Sequence, residues 1–481
     1  MFYIIRGHGF VNEIQTITQV FYPNEKFIRV DEISDIGVTA VSGLFGGRCI
    51  SEIFHNNEPV SRYETPLVGE AGHCVKKSMF GCLVKAQGYT PDWGLLTGIR
   101  PSKLIHMLRG HGLSDDEIIR HFSDEFFVSR LKSELSLRVA NAESKILAQL
   151  FGKYSVYIGI PFCPSRCLYC SFTSQPIGKC PDIVDDYLAA LEKELFYTLR
   201  YLHGEAPDAI YIGGGTPTVL SASRLERLLI AVGRAFPKRT EYTVEAGRPD
   251  TIDRDKLRLL KAHGVTRLSI NPQTMNDKTL ALIGRGHTGR EFLEAFEMAR
   301  AEGHQNINID LILGLPGEDE NVVKNSLETV LPLRPENLTA HTLAVKRASR
   351  LKEEMHLHVG ATQAAECRPC GGGRYNRVEN MIKATEIAAY SAGMHPYYMY
   401  RQKNMLGNFE NVGYTLPGSD CIYNVMIMTE RQSILALGAG AITKIVDSGH
   451  ISRIFNVKSA KDYIDRIDEM IKRKKRMVLW V

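Results

Sequence analysis

The stretch Tyr157-Ile-Gly-Ile-Pro-Phe-Cys163-Pro-Ser-Arg-Cys167-Leu-Tyr-Cys170 decides how the chain is read. An apolar strand pattern runs into a loop marked by Pro164 and Arg166, so cysteines spaced four and then three apart are poor candidates for incidental core residues. Three thiolates on one loop can point at one small object. A four-iron cluster takes four ligands, so three cysteines leave one iron open to another group. Zinc asks for a fourth protein ligand or a water. His287 and Cys180 are conceivable partners, but neither stands at a motif spacing.

Outward from that loop, short apolar strands alternate with amphipathic helices. Strands are expected at Val156–Ile160, Ala209–Gly213, Tyr242–Ala246, Thr266–Asn271, Ile307–Leu313 and Leu338–Leu343. Between the first two, Leu188, Leu191, Leu195, Leu199 and Leu202 recur at helical steps behind Asp182, Asp185 and Asp186. Another helix is expected from Asp253 to His263, stopped by Gly264. Six such repeats with nearly continuous apolar strands predict an α/β fold, a parallel sheet covered by helices and closed into a barrel or partial barrel. In such folds chemistry gathers at the C-terminal strand ends. There lie Gly213-Gly214-Gly215-Thr216-Pro217, whose glycines let the backbone approach a ligand and whose N–H groups can bind one. Glu245 ends the third strand, Arg285 can pair bidentately with a carboxylate, and Asp310 sits mid-strand, where a charge needs a polar partner.

The 481 residues suggest two or three domains, with 44% hydrophobic and 23% charged residues, a globular mix that excludes a disordered chain or a collagen-like fibre. A net charge of +5 implies no large field for nucleic acid or membrane. With no signal-like start and no apolar run of spanning length, the expectation is cytoplasmic. Ten unevenly spaced cysteines fit metal ligation better than a disulfide framework.

The expected division is an N-terminal α+β accessory domain over 1–150, a barrel over 151–350 and a closing domain over 351–481. The first begins with a strand at Met1–Arg6, alternates at Phe27–Val30 and is helical from about Asp115 to Phe151. The last holds a helix from Leu351 to His358, the aromatic run His395–Arg401, a loop through Gly407–Gly418, strands at Ile422–Met428 and Ser433–Leu437, and a basic helix Ala460–Arg476 whose charges are read as a solvated face. Cys367 and Cys370, with His356 and His358 upstream, form either half a metal site, a redox pair or, the favoured reading, an incidental loop.

The cysteine spacing, with an aromatic residue before the last ligand, resembles the radical S-adenosylmethionine superfamily. That resemblance implies a 4Fe-4S cluster on Cys163, Cys167 and Cys170, with S-adenosylmethionine on the open iron. It places Tyr157, Gly214, Gly215, Thr216, Glu245, Gln273, Arg285 and Asp310 around that cofactor. The partial (β/α)6 TIM-like barrel of the superfamily and a low-potential electron donor are implied with it. Tyr157–Cys163, Gly213–Thr218, Arg267–Gln273 and Asn308–Pro316 further resemble the oxygen-independent coproporphyrinogen III oxidases. Trp93–Pro101 and His395–Met405 resemble the HemZ-type coproporphyrinogen dehydrogenases, and Asn408–Thr415 and Leu437–Gly440 resemble their substrate-closing segments. Two positions depart from the best-studied oxidases: Gly159 stands where they carry histidine, and Phe172 where they carry an extra cysteine.

The implied reaction is oxidative decarboxylation of two propionates of coproporphyrinogen III to vinyl groups, through a 5′-deoxyadenosyl radical. Such a substrate needs an apolar slot with a basic rim. Lys346, Arg347, Arg350, Arg401 and Lys403 are candidates for the rim, and Tyr397, Tyr398 and Tyr400 for either a macrocycle face or the core. A haem-binding chaperone and a radical haem-processing enzyme are the competing readings, so the expected partner is a porphyrinogen or haem, with no nucleic acid and no membrane span.

Overall fold

The computed structural model describes residues 1–475 apart from 24, 98–99, 151–153, 203, 347–348, 352–375, 403–404 and 448. Cys367, Cys370, His356, His358, Arg347, Lys403 and the expected helix beyond Leu351 lie outside those residues.

The six expected strands are present as β6 (Tyr154–Ile160), β9 (Ala209–Gly214), β10 (Glu241–Glu245), β11 (Arg267–Ser269), β12 (Ile307–Leu313) and β13 (Asn337–Thr342). They pair in parallel in that order. Helices cover the outside, as the near-continuous apolar strands require: Leu188, Leu191 and Leu195 are buried from Val184–Thr198, and Leu257 and Leu260 from Arg254–Ala262. The result is a mixed α/β fold with a partial barrel sheet. Two short strands, β7 (Phe162–Cys163) and β8 (Gln175–Pro176), bridge the ends of the cysteine loop.

The C-terminal residues extend this sheet at both edges. β14 (His395–Tyr400) and β15 (Asn411–Thr415) add antiparallel beyond β13. On the other side β16 (Ser433–Leu437) lies parallel to β6, followed by antiparallel β17 (Ile442–Asp447) and β18 (His450–Phe455).

Three local expectations are corrected here. Ile422–Thr429 is a helix, not a strand, because the Glu241 carboxylate accepts the Ile422 and Tyr423 N–H groups at 2.9 and 3.1 Å and caps its first turn from far away in sequence. The expected loop through Gly407–Gly418 contains β15, in which Gly413 leaves room for the Tyr398 ring. The basic C-terminal helix breaks at Arg466 into Ala460–Asp465 and Ile467–Lys474. Its charges are not all solvated: Lys474 is fully buried, with Nζ 2.6 Å from Thr443 Oγ1 and 3.6 Å from Glu194 Oε1.

The N-terminal sheet is separate, in the order β2 (Ile28–Arg29), β1 (Phe2–Arg6), β3 (Val38–Phe45), β4 (Arg48–His55), β5 (Glu58–Pro66). Helices Val11–Phe21 and Ala71–Gln87 supply its core with Ile14, Ile17, Phe21, Val75, Met79 and Phe80. The run expected to be one helix from Asp115 turns at Phe127, in left-handed backbone, into Asp115–Phe126 and Arg130–Leu147.

A buried knot ties this region to the C-terminal strands. Trp93 Nε1 and Lys132 Nζ donate to the two oxygens of Glu410, each at 2.6 Å. The Arg401 guanidinium stacks on Trp93 at 4.5 Å and donates to the Leu96 and Asn408 carbonyls. Burial pushes Arg401 down to about 9. Removing the carboxylate leaves two cations buried without it, a change that costs about 3–5 kcal/mol. Glu410→Ala is therefore expected to lower the unfolding free energy by that order, with both thermal and denaturant midpoints falling. A loss below about 1 kcal/mol in chemical unfolding would show that the knot does not join the units.

Candidate functional site

The cysteine loop leaves β6 and is pinned from two sides. Leu168 N–H donates to the Ile283 carbonyl at 2.9 Å, and Leu351 N–H to the Leu168 carbonyl at 2.8 Å. Cys170 N–H closes a turn on the Cys167 carbonyl at 3.1 Å. The three cysteines line one cavity of about 270 Å³ together with Gly214, Gly215, Thr216, Glu245, Gln273, Arg285 and Asp310. Of the residues that the resemblance places around the cluster and its cofactor, only Tyr157 stands apart, in an adjoining chamber. Burial pushes the Cys163 and Cys170 thiols up. Among the described residues, no three His, Cys, Asp or Glu side chains converge on one metal ion.

The glycine turn works differently from expectation. Gly215 N–H donates to the Ile160 carbonyl at 2.8 Å, Thr216 N–H to the Phe162 carbonyl at 2.7 Å, and Gly214 N–H to Glu245 Oε2 at 3.1 Å. These N–H groups are already taken, so the turn offers a smooth backbone face, not free donors. A Cβ on Gly215 would strike the Ile160 and Phe162 carbonyls, and Gly214 has φ +105°.

Glu245 also accepts from Tyr211 OH at 2.6 Å. Burial, against the pull of that hydroxyl and with help from the nearby Asp310 charge, pushes its carboxyl up to about 7. Burial would also raise Asp310, but His341, Asn308 and Thr339 hold it below the usual carboxylate range. His341 Nε2 lies 3.6 Å from Asp310 Oδ2, and Tyr400 OH lies 3.2 Å from His341 Nδ1. The polar partners that a mid-strand acid demands are thus Asn308, whose Nδ2 donates to Asp310 Oδ1 at 2.8 Å, and the nearby His341. Gln273 holds left-handed backbone at φ +69°, and its buried Oε1 has no partner among the described residues. Strain plus an orphaned acceptor in a cavity wall marks a ligand-facing position. Arg285 does not aim a free fork: its Nη1 and Nη2 donate to the Gly247 and Asn271 carbonyls at 3.1 and 3.0 Å.

One neighbour of the cysteines escaped the sequence reading. Arg248 is buried, pairs through Nε and Nη2 with Asp250 at 2.9 Å each, and points Nη1 at Cys167 Sγ, 3.6 Å away. The only signal was an arginine three residues past a strand-end acid. Lys346, a candidate for the rim, lines the cysteine cavity, while Arg350 is exposed and Arg401 belongs to the knot.

The second chamber, of about 580 Å³, shares Phe172, Gly214, Glu245, Asp310, His341 and Tyr400 with the first. Its walls are the inward residues of the barrel, Tyr157, Tyr211, Ser269, Asn308 and Thr339, closed by Tyr398, Tyr423 and Ile427 from the C-terminal segment. Strand alternation sends Tyr398 and Tyr400 to the chamber, stacked at 6.4 Å, and Tyr397 to the core, where Asn424 Nδ2 donates to its hydroxyl.

The radical SAM superfamily model matches residues 157–330. The chain is 40% identical, over 80% of its length and 77% of the relative's, to the oxygen-independent coproporphyrinogen-III oxidase-like protein HemZ of Bacillus subtilis. It belongs to the radical SAM superfamily, among HemZ-like proteins. It is also 34% identical to the haem chaperone HemW of the same organism, over 66% of this chain and 76% of that one. Coproporphyrinogen III oxidase HemN of Escherichia coli shares the fold, with a TM-score of 0.52 over 69% of this chain and 73% of that one at 22% identity.

Radical SAM membership implies a 4Fe-4S cluster and S-adenosylmethionine. Three thiols on one pinned loop, a close-packed glycine face and the unpartnered Gln273 Oε1 in a single cavity fit both groups.

Because the Glu245 carboxyl is harder to ionise folded than unfolded, it favours the fold only while protonated, and that advantage fades as pH rises from about 4.5 to about 7. Allowing for water in the cavity, wild type should lose about 1–3 kcal/mol relative to Glu245→Gln over that window. Parallel stability curves for the two proteins, measured by chemical unfolding without added cofactor, would contradict this.

Proposed function

We propose that this HemZ-like protein is an oxygen-independent coproporphyrinogen III oxidase, converting two propionates of the macrocycle to vinyl groups. The observation that carries the reading is the joined pair of cavities, one lined by the cysteine trio and one by barrel and C-terminal aromatics. Similarity to HemZ supports the substrate class.

Cys163, Cys167 and Cys170 would hold three irons of the cluster, and the Gly213–Thr216 face, Glu245, Gln273 and Asp310 would seat S-adenosylmethionine. Bound together, those groups supply abstraction of a hydrogen atom from an unactivated carbon. The chain orients what they act on. Tyr211 OH and Gly214 N–H fix the Glu245 carboxylate so that it can accept from an amino group. Arg285 ties the ends of β10 and β11 into one wall. Asp310 Oδ2, 3.6 Å from Nε2, and Tyr400 OH, 3.2 Å from Nδ1, flank the His341 imidazole and set its ring between the two cavities. Each propionate gives up a hydrogen atom, carbon dioxide and one electron, so an electron acceptor is needed besides the low-potential donor.

Similarity to HemW supports a second reading, a haem carrier. Anaerobic reconstitution with dithionite, S-adenosylmethionine and either coproporphyrinogen III or haem separates the two. Tricarboxylic and dicarboxylic porphyrinogens with 5′-deoxyadenosine are expected. Stable haem binding without any decarboxylation would replace the oxidase by the carrier.

Cys167→Ala is expected to lose the broad visible absorption of the cluster and all S-adenosylmethionine cleavage; retention of either overturns the ligand assignment. Arg248 should raise the cluster's potential through its charge and its N–H at the Cys167 sulfur. Arg248→Gln is expected to lower the midpoint by about 60 mV, the one-electron equivalent of a tenfold change, as read by redox titration. An unmoved midpoint would leave Arg248 as a partner of Asp250 alone.

A further inference from the structure

At its outer end the barrel chamber reaches a group of charges that the sequence reading did not single out. Glu430 stands one residue past the helix Ile422–Thr429, in left-handed backbone at φ +53°. Its carboxylate takes Arg100 Nη1 at 2.7 Å, Lys103 Nζ at 2.8 Å and Arg453 Nη2 at 3.3 Å, with Lys444 Nζ at 3.9 Å. Four cations thus face one carboxylate among the described residues. Arg100, Glu430, Lys444 and Arg453 all line the chamber.

This is more than a surface salt-bridge cluster. The Lys444 and Glu430 side chains are each only 8% exposed, while Arg453 and Lys103 reach solvent at 46% and 51%. The group therefore runs from bulk water to the buried chamber wall. Lys444 Nζ also donates to the Ile427 carbonyl at 3.2 Å, a neutral acceptor. A buried ammonium that shares a single carboxylate with three other cations is under-compensated. Burial, together with the Arg100, Arg453 and Lys103 charges, outweighs Glu430 and pushes Lys444 down to about 8. Among the described residues the four cations around Glu430 leave a surplus of positive charge, which an anion would complement. Behind it the walls are aromatic, with Tyr157, Tyr211 and Tyr423 stacked on one another.

We infer that this outer end is a carboxylate-binding mouth, in which Arg100, Lys103, Lys444 and Arg453 hold the propionate groups of a tetrapyrrole whose ring lies against the tyrosines. The macrocycle's identity rests on the function proposed above; the carboxylate chemistry does not. A ligand held there by its acidic edge keeps its far side toward Phe172, Glu245 and His341, the residues shared with the cysteine cavity.

The test uses the full-length, anaerobically reconstituted protein and equilibrium binding. Coproporphyrin III, its tetramethyl ester and haem are followed by Soret absorbance, and benzene-1,2,4,5-tetracarboxylate by calorimetry. Wild type should prefer coproporphyrin III to the ester by roughly a hundredfold. Lys444→Met with Arg453→Met should weaken coproporphyrin III about a hundredfold, about tenfold per charge-assisted contact, and leave the ester unchanged. Lys444→Arg with Arg453→Lys should stay within about threefold of wild type. If the double methionine variant does not fold, the half-exposed Arg453→Met alone carries the test with about a tenfold loss. Haem weakened by the same substitutions would keep the mouth and assign it a dicarboxylate macrocycle. Acid and ester bound equally, with no effect of the substitutions, would overturn the mouth but spare the tetrapyrrole reading. Binding of the benzene tetracarboxylate, lost in the variant, with no tetrapyrrole bound would do the reverse. No binding of any acid would overturn the inference.

Discussion

β16 lies parallel against β6, with Ser433 beside Tyr154 and Leu437 beside Ile158. Much of the architecture depends on this pairing between segments nearly three hundred residues apart. It adds a seventh parallel strand to the six of the barrel, and it carries β17, β18 and the helix before it to the open side of the sheet. Without it Tyr157 and Tyr211 would face solvent in place of Tyr423, and Lys444 and Arg453 would have no chamber to flank. Tyr187 reinforces the join by donating to the Gly159 carbonyl at 2.7 Å and accepting from Ala439 N–H at 2.9 Å. Gly159 thus lies at this seam, an added Cβ there falling within ordinary contact of the Leu437 and Ala439 carbonyls.

Inside the barrel, polarity is arranged as a ladder. Tyr398 OH donates to Thr339 Oγ1, Thr339 to Asn308 Oδ1, and Asn308 Nδ2 to both Ser269 Oγ and Asp310 Oδ1. Such a network holds Asp310 ionised in a place where burial alone would protonate it, while Glu245, a short distance away, is pushed the other way. The acid ending β10 and the acid in mid-β12 therefore differ in charge preference: His341, Asn308 and Thr339 together outweigh burial at Asp310, and the Tyr211 phenol does not at Glu245.

The strand order and the cysteine cavity were legible because both follow local rules: apolar runs of strand length, and cysteines on one loop. Misreadings arose where a distant residue decided the outcome. Ile422-Tyr-Asn-Val-Met-Ile-Met is equally apolar as strand or helix, and the Glu241 cap that settles it is 181 positions away. Arg401 looked available for a ligand carboxylate, yet Trp93 and the Leu96 carbonyl hold it inside. Conversely, Arg100, Lys444 and Arg453 are unremarkable charges in sequence and become a group only when three segments meet at Glu430. Fold-level periodicity travels along the chain; electrostatic surplus is a property of the assembled surface.

The two strand-like bonds from Gly215 to Ile160 and from Thr216 to Phe162 have a mechanical meaning. They weld the start of the thiol-bearing loop to the ends of two adjoining strands, with no side chain between them to act as a spring. The loop thereby inherits the stiffness of the sheet, and its sulfurs can be presented to an incoming inorganic core with little rearrangement of the backbone beneath.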